Sequence, residues 1–458
     1  MPDGVPPDSS IAGQPGDGRP GAAAGASLWR NGAFVRVFSA SAISYFGSFI
    51  TRVALPLAAI YVLGANALGM SAIRSFELVG SLVVGLFAGA WVDRLRRRPI
   101  MISADLGRAL LLASIPLAAV AGILSLPQLV VVAFLAAILS SFFDTASFAY
   151  LPSVVGRARL ITANSALSAS ASAAEVTGFG LSGFLVQLLT APIAIAIDAA
   201  SFVISAALLV TIRQPEPPRP SVAEREPVLR EIQVGVREVA RSPTLRAIAL
   251  AHAGNHLLWG VFGTTYLLFA TQVVGLGAAA IGVVTAVGGA GSLVGAAAAG
   301  RLAGRLGVGG AMILGLVGFT LGNALITLAP SGAVLIGGAM LVAQQLFGDA
   351  SATVHDVLET SVKQAIVDER VLGRVNATID FVTTITALVG SLGGGILAVA
   401  FGLREAMVFG LLGGATAVAF LWFSPVRGLW TIPAGGVGGP GGAIGTAPIT
   451  PEDLPLTE

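Results

Sequence analysis

The sequence predicts an all-α polytopic membrane protein in which twelve transmembrane helices form two parallel six-helix halves. Of its 458 residues, 55% are hydrophobic and only 11% are charged, and the mean hydropathy is +0.86. Soluble domains carry about 25% charged residues. Apolar stretches of about 20 residues, the length that crosses a bilayer as a helix, recur along nearly the whole chain. Short motifs of the first half also return in the second half at a nearly constant spacing, which predicts a duplication.

The two predicted halves are residues 31–212 and residues 245–426, and each contains six apolar segments. Connectors near Pro192 and Leu276 are so short that each must be a tight turn between antiparallel helices. The predicted spans are roughly 34–62, 72–92, 100–124, 128–150, 164–190, 192–212, 245–273, 279–300, 309–329, 332–353, 374–400 and 403–424.

Three less apolar segments flank and join these halves. Residues 1–30 and 427–458 are rich in Pro, Gly and Ala, which predicts disordered cytoplasmic tails. The first tail lacks the basic and apolar regions of a cleavable signal peptide. Residues 213–244 form a cytoplasmic linker with a proline-rich start, followed by apolar residues at helical spacing opposite charged ones. This pattern predicts a short amphipathic helix, residues 227–241, at the membrane surface.

Arginine is distributed unevenly between the two sides of the membrane. If the first tail lies inside, the inner loops collect the cluster between Arg94 and Arg98, seven arginines between Arg213 and Arg246, and most of the others. The outer loops collect Arg404, with Arg74 at a boundary. Lys and Arg concentrate in cytoplasmic loops. The asymmetry therefore predicts that both termini are cytoplasmic, and it supports an even number of spans.

Three motifs carry the predicted duplication. GAWVDRL, which begins at Gly89, aligns with GRLAGRL, which begins at Gly300, at an offset of 211 residues. LITANS aligns with LGRVNAT so that Asn164 falls on Asn376, at an offset of 212. GFGLSG, from Gly178, aligns with GSLGGG, also at 212. Parallel six-helix halves are a transporter architecture, with the substrate site near the midplane between the halves.

At these motifs the chain resembles the major facilitator superfamily, over about residues 30–427. That family carries the motif G-x-x-x-D-R/K-x-G-R/K-R/K between its second and third helices, and this chain reads GAWVDRLRRR there, with Arg96 in place of the second glycine. The residues that match the motif are Gly89, Asp93, Arg94, Arg97 and Arg98.

Within the superfamily, segments such as FFDTASFAYLPSVV and LGRVNAT resemble bacterial efflux permeases of the macrolide-exporter and enterobactin-exporter type. The resemblance implies a monomeric secondary transporter of the plasma membrane that exports a bulky amphipathic small molecule in exchange for protons. GFGLSG stands where drug:proton antiporters carry G-P-x-x-G-G, and Phe179 and Ser182 depart from that signature. The glycines that are kept permit close helix packing.

The charged motif after the second span has two explanations. Its arginines can act as a positive-inside signal that holds the loop in the cytoplasm. This does not explain Asp93, an acid among bases. The family resemblance implies that Asp93 lies near the N-terminus of the eleventh span, where unpaired N–H groups favour an anion. The motif would then latch the two halves together while the cavity faces outward.

Several charges lie within predicted spans, where an ionised side chain is costly and is usually paired. Asp105 and Arg108 are three residues apart on one face of the third span, and Asp144 lies at a similar depth in the fourth. We expect these three to form a structural network in a gate region, with direct substrate contact as the alternative. Arg52 and Glu77 both lie in the outer half, and we expect them to form a second pair.

Glu175 lies near the middle of the fifth span, with no basic residue evident at its depth. A lone buried carboxylate is easily protonated, which a proton-coupled exporter needs. Asp198 and Asp380 are further candidates for proton coupling. For each of the three, the alternative is a carboxyl group hydrogen-bonded to a neighbouring Ser or Thr.

His252, Asn255 and His256 fall on one face of the seventh span, and we expect them to line the cavity. The H-x-x-x-H spacing can bind a metal, but no carboxylate or cysteine lies nearby in sequence, so we expect no metal site. The stretch HDVLET, from His355, is expected to be the solvated cytoplasmic end of the tenth span.

The composition also excludes or disfavours other functions. The chain has no cysteine, which excludes disulfides, thiolate metal sites and cysteine nucleophiles, and a net charge of only +2 gives no support for nucleic-acid binding. No H-E-x-x-H, G-x-S-x-G or Walker-type segment is present, so we expect no enzyme, no catalytic residue and no cofactor. The expected partners are a small molecule, protons and the lipid bilayer. The alternatives are an importer or a lipid or lysophospholipid flippase on the same fold and, outside transport, a membrane-embedded sensor or scaffold.

Overall fold

The fold is a bundle of long helices, seen in a computed structural model that describes residues 28–92, 95–214 and 228–432. Twelve helices in these ranges are long and apolar enough to cross a membrane, and no strand occurs there, which confirms the predicted fold class. The spans are α1 Gly32–Tyr61, α2 Ala67–Val92, α3 Arg97–Val120, α4 Leu126–Val155, α5 Leu160–Leu189, α6 Ala191–Val210, α8 Pro243–Leu268, α9 Ala278–Leu306, α10 Val308–Leu328, α11 Val334–Ile366, α12 Glu369–Phe401 and α13 Leu403–Trp422, and the linker helix α7 is Val228–Arg241. A π-helical turn, Phe269–Val274, extends α8.

The spans alternate in direction, so the bundle has two ends. We call the end where α1 begins the proximal end, and the opposite one the distal end. The proximal end carries the start of α1, the end of α13 and the linker helix α7. The distal end carries the short turns at residues 190 and 402.

The turns of the two halves repeat in the same way as the sequence motifs. Backbone φ is positive at Gly64 and Gly275, at Gly122 and Gly332, and at Thr190 and Gly402. These pairs are separated by 211, 210 and 212 residues, close to the offsets of the aligned motifs. Because a left-handed residue is needed where each helix ends and reverses, glycine occupies five of the six positions. Thr190 is the exception, with φ of 82°.

The two halves pack against each other at the distal end. A Cβ atom at Gly183 of α5 would lie 2.7 Å from the Cα of Gly282 in α9, so only glycine fits at this approach. On the other side of the bundle, Ser391 of α12 accepts a hydrogen bond at its carbonyl from Ser71 Oγ of α2, at 2.8 Å. The Oγ atoms of Ser75 and Ser391 are 3.2 Å apart, and Ser391 is fully buried. The structure is therefore closed at the distal end.

The largest error in the predicted span boundaries is at the end of α11. We expected the span to end near residue 353 and HDVLET to be solvated, but α11 continues to Ile366. His355 and Glu359 are only 2% and 1% exposed. Their polar groups are paired with one another and with neighbours, so the helix keeps them inside the bundle.

The segments outside the spans are only partly described. Residues 1–27 and 433–458 of the predicted tails, and residues 215–227 of the linker, lie outside the described residues. The described start of the second predicted tail packs on the bundle, since the main chain at Leu429 and Trp430 accepts hydrogen bonds from the first N–H groups of α10. In α7, Gly235 and Val239 are buried, with Gly235 against Arg374 of α12. Ile232 and Val236 of the same helix remain exposed, as on a helix that faces a membrane surface.

Arg404, the arginine expected in an outer loop, has a structural partner. Its guanidinium donates to the carbonyl oxygens of Thr327 and Ala329 at the distal end of α10, at 2.5 and 2.6 Å. A cation at a helix C-terminus satisfies carbonyl groups that have no partner within the helix. Arg404 therefore caps α10 where a positive charge is otherwise rare.

Candidate central transport site

The candidate site is the space between the two halves, on the proximal side of the contact at Gly183. Three charged residues within the spans, Asp144 in α4, Glu175 in α5 and Asp380 in α12, have exposed side chains. A cavity of about 410 Å³ opens on the first half, between α1, α4 and α5. Arg52 and Asp144 line it together with Tyr45, Asn164 and Ser168. The cavity thus has polar and charged walls inside an otherwise apolar bundle.

Asp105 and Arg108 form the ion pair that the sequence indicates. Arg108 Nη2 pairs with Asp105 Oδ1, and the other carboxylate oxygen accepts a hydrogen bond from Ser205 Oγ at 2.7 Å. The guanidinium also lies over the rings of Phe143 and Phe202, 4.6 and 4.1 Å from their centroids. Asp105 is 0% and Arg108 4% exposed, so the pair holds α3 to α4 and α6 and does not face the cavity.

The expected pair between Arg52 and Glu77 is wrong. Glu77 Oε2 pairs instead with Arg74 Nη1, 2.8 Å away and one turn earlier on the same helix. Arg52 stacks on Phe49, 5.0 Å from the ring centroid, and shares the cavity of the first half with Asp144. The spacing of three residues between Arg74 and Glu77 on one helix was the local signal for the observed pair.

Glu175 lies within electrostatic range of a carboxylate of the other half. It is exposed at the middle of α5, and within the described residues its carboxylate forms no ion pair. The carboxylate in range is that of Asp349 of α11, which is half-buried. One acid from each half therefore lies close enough to influence the charge of the other.

The two other candidate acids have different surroundings. Asp198 is 1% exposed, and its Oδ1 accepts a hydrogen bond from Ser201 Oγ at 3.0 Å, so it is a hydrogen-bonded carboxyl group within the first half. Asp380 of α12 is exposed and lies within electrostatic range of His252 and Lys363.

The histidines form a cluster that includes an acid. Nε2 of His252 contacts Oε2 of Glu359, and Nε2 of His355 lies 3.7 Å from the same oxygen. Lys363 Nζ is 2.7 Å from Oε1 of Glu359. His256 stacks on His252, with its Nδ1 3.0 Å from the His252 carbonyl oxygen. Asn255 is half-buried next to them.

The charged motif after α2 is described only in part. Gly89 lies in α2 and Arg97 begins α3, whereas Asp93 and Arg94 lie outside the described residues. Arg98 Nε donates to the carbonyl oxygen of Leu209 at 2.8 Å, which caps the proximal end of α6. Arg98 therefore connects the start of α3 to the end of α6, which both belong to the first half.

Sequence reasoning missed Asp349, Glu359 and Lys363 as members of the site. Each lies on α11, beyond or near the point where we ended the span. Glu359 and Lys363 follow His355 at intervals of four residues, so one face of a continuous helix carries all three. This four-residue spacing, together with the apolar residues Val354, Leu358 and Val362 at the same interval, was the sequence signal that the helix continues.

A duplicated bundle of twelve spans, closed at one end and lined by charge at its centre, is the architecture of a solute transporter. The sequence profile of the Major Facilitator Superfamily matches residues 37–361. The chain therefore belongs to the major facilitator superfamily, and it is a multi-pass membrane transporter.

Two transporters have sequences similar to that of this chain. The uncharacterized MFS-type transporter YfiS of Bacillus subtilis (strain 168) is 26% identical over 385 residues, 81% of this chain and 88% of YfiS. The multidrug efflux pump Tap of Mycolicibacterium fortuitum is 31% identical over 228 residues, 48% of this chain and 55% of Tap. The match thus covers only about half of Tap.

Solved structures have the same fold. A bacterial homolog of the human lysosomal transporter Spinster, in an inward-facing and unoccupied conformation, superposes with a TM-score of 0.67 at 16% identity, over 88% of this chain and 98% of that one. A bacterial homologue of the iron transporter ferroportin, in an inward-facing state, superposes with a TM-score of 0.68 at 18% identity. The superposition covers 86% of this chain and 100% of that one.

Proposed function

We propose that this protein is a proton-coupled exporter of the plasma membrane that moves a bulky amphipathic small molecule by alternating access. The observation that carries the proposal is that Glu175 and Asp349, one from each half, lie within electrostatic range of each other. Two carboxylates within this range repel when both are ionised, and a proton on either one removes the repulsion. Proton binding can therefore change how closely the two halves approach, which is what coupling requires.

The direction of transport is supported by the likeness to the efflux pump Tap. The apolar composition of the chain and the mixed walls of the first-half cavity suit a substrate that has both apolar and polar parts. Asp93 would stabilise the state open at the distal end by pairing at the proximal end of the opposite half.

The positive-inside distribution of arginine supports a cytoplasmic proximal end, and with that orientation the present state is inward-facing. Because the chain has no cysteine, single cysteines give a clean test in intact cells. We expect an impermeant maleimide to label a cysteine at Leu126, at the distal start of α4, and not one at Ser153, near its proximal end. The reverse labelling pattern would contradict this orientation.

The substrate class can be tested by efflux assays in a pump-deficient host. We expect expression of the protein to lower the cellular accumulation of at least one compound in a panel of macrolides, lipophilic cationic dyes and siderophores, and collapse of the proton gradient to restore accumulation. An increase in accumulation would indicate an importer. Movement of labelled lysophospholipid alone would indicate a flippase, and either result would overturn export.

A further inference from the structure

We infer that His252, His355 and Glu359 form a binding site for a divalent transition-metal ion of the Zn²⁺ type. Each residue offers one ligand atom, and these three atoms all lie within 4.8 Å of one another. Two imidazole nitrogens and a carboxylate oxygen are a common protein ligand set for Zn²⁺. The site lies within the second half, where it joins α8 to α11, and it is separate from Glu175 and Asp349.

The contacts of His355 leave one ring nitrogen for a metal ion. Nδ1 of His355 lies 3.1 Å from the carbonyl oxygen of Met312. Since a carbonyl oxygen only accepts, Nδ1 donates this hydrogen bond, and Nε2 is the nitrogen that remains to bind a metal. Nε2 lies 3.7 Å from the carboxylate oxygen Oε2 of Glu359, so both ligand atoms are directed to the same place.

The geometry is close to what a metal ion needs. Ligand atoms of a tetrahedral zinc site are about 3.3 Å apart, since each lies about 2.0–2.1 Å from the metal. The separation of 3.7 Å between His355 and Glu359 needs only a small adjustment, whereas His252 and Glu359 are in direct contact and must move apart to admit the ion. The hydrogen bond from His355 to Met312 is the kind of outer contact that fixes the ring of a metal-binding histidine.

Lys363 does not block the site. It pairs with Oε1 of Glu359, at 2.7 Å, whereas both histidines approach Oε2. The carboxylate can therefore bind a metal through one oxygen while Lys363 neutralises the other. Asp356 and Asp380 also lie within electrostatic range of this cluster, so three carboxylates surround one ammonium group. This balance favours a divalent cation when the histidines are neutral.

The three ligands leave a fourth coordination position. The side chain of His252 is 18% exposed, whereas those of His355 and Glu359 are 3% and 2% exposed. The open side is therefore next to His252, where water or a ligand atom of a solute can complete the coordination. This ligand set was not predicted from the sequence, because Glu359 follows His252 by 107 residues.

The inference is tested with the full-length protein, purified in detergent and stripped of metal. We expect the wild type to bind one equivalent of Zn²⁺ in calorimetric titration, and bound Co²⁺ to give the intense visible absorption of four-coordinate cobalt. His252→Ala and Glu359→Gln should each weaken Zn²⁺ binding by roughly 100-fold or more, since outer contacts alone are worth about 10–100-fold. His256→Ala is the matched control, because His256 lies one turn along the same helix but outside the ligand set.

Three outcomes would overturn the inference: no Zn²⁺ binding by the wild type, unchanged binding by His252→Ala, or equal weakening by His256→Ala. His252→Ala removes a partly exposed side chain, so it provides the test even if Glu359→Gln does not fold. The measurement involves no transport, so its result is independent of proton coupling and of the direction of transport.

Discussion

Replacing Gly183 by Leu is expected to abolish transport and to leave the protein open at its distal end. The Cα of Gly282 and the carbonyl oxygen of Ala278 occupy the space that any side chain at residue 183 would need. Both belong to α9 of the other half, so the clash occurs only when the halves meet. Overpacking of this kind costs about 1–3 kcal/mol. A penalty of that size shifts a two-state equilibrium by about 5- to 150-fold.

The shift can be measured with a single cysteine at Ser71, which is 2% exposed in the distal interface. In the Gly183→Leu background, an impermeant reagent should label this cysteine faster, and uptake or efflux of any substrate should fall. Gly393→Leu is the matched control, because a Cβ there meets nothing within 4 Å. Equal labelling rates in the two variants would contradict the role of Gly183 in distal closure.

Breaking the pair between Asp105 and Arg108 is expected to give the largest loss of stability. Arg108→Ala leaves the Asp105 carboxylate buried without its counter-charge and removes the stacking on Phe143 and Phe202. Removing one partner of a buried ion pair costs about 3–5 kcal/mol. Thermal unfolding in detergent, followed by tryptophan fluorescence, should show a large fall in Tm.

The chain provides a matched control for burial. Arg74 and Glu77 form a pair with the same spacing of three residues, but their side chains are 42% and 40% exposed. Arg74→Ala should therefore cost less than about 1 kcal/mol. The double variant Asp105→Asn with Arg108→Met should be more stable than Arg108→Ala, since it leaves no unpaired charge. Equal falls in Tm for Arg74→Ala and Arg108→Ala would show that burial of the pair does not matter.

The fold could be predicted from the sequence because hydropathy and repetition act over long segments. The twelve spans, the duplication and the pair at Asp105 and Arg108 each follow from local spacing. The partner of Glu77 was missed although Arg74 lies three residues earlier on the same helix. The end of α11 did not follow, because it depends on which helices pack against it. Polar residues such as His355 and Glu359 look like a solvated helix end until their partners on other helices are known.

The site was predicted less completely than the fold for the same reason. Glu175 was selected as an acid with no basic residue evident at its depth, but the acid within its electrostatic range, Asp349, lies 174 positions further along the chain. Likewise the metal site was not expected, because Glu359 is distant in sequence from His252. Contacts between helices that are far apart along the chain have no local signature.

Proton coupling at Glu175 is tested most directly in proteoliposomes, with a substrate identified by the compound panel. Glu175→Gln keeps the size of the side chain and resembles the protonated carboxyl group. The wild type should concentrate the substrate against its gradient when a pH gradient is imposed. Glu175→Gln should lose this uphill transport but retain exchange of labelled substrate at equal concentrations on both sides. Uphill transport by Glu175→Gln at the rate of the wild type would contradict the assignment, and the same measurement would then be made on Asp380 and Asp198.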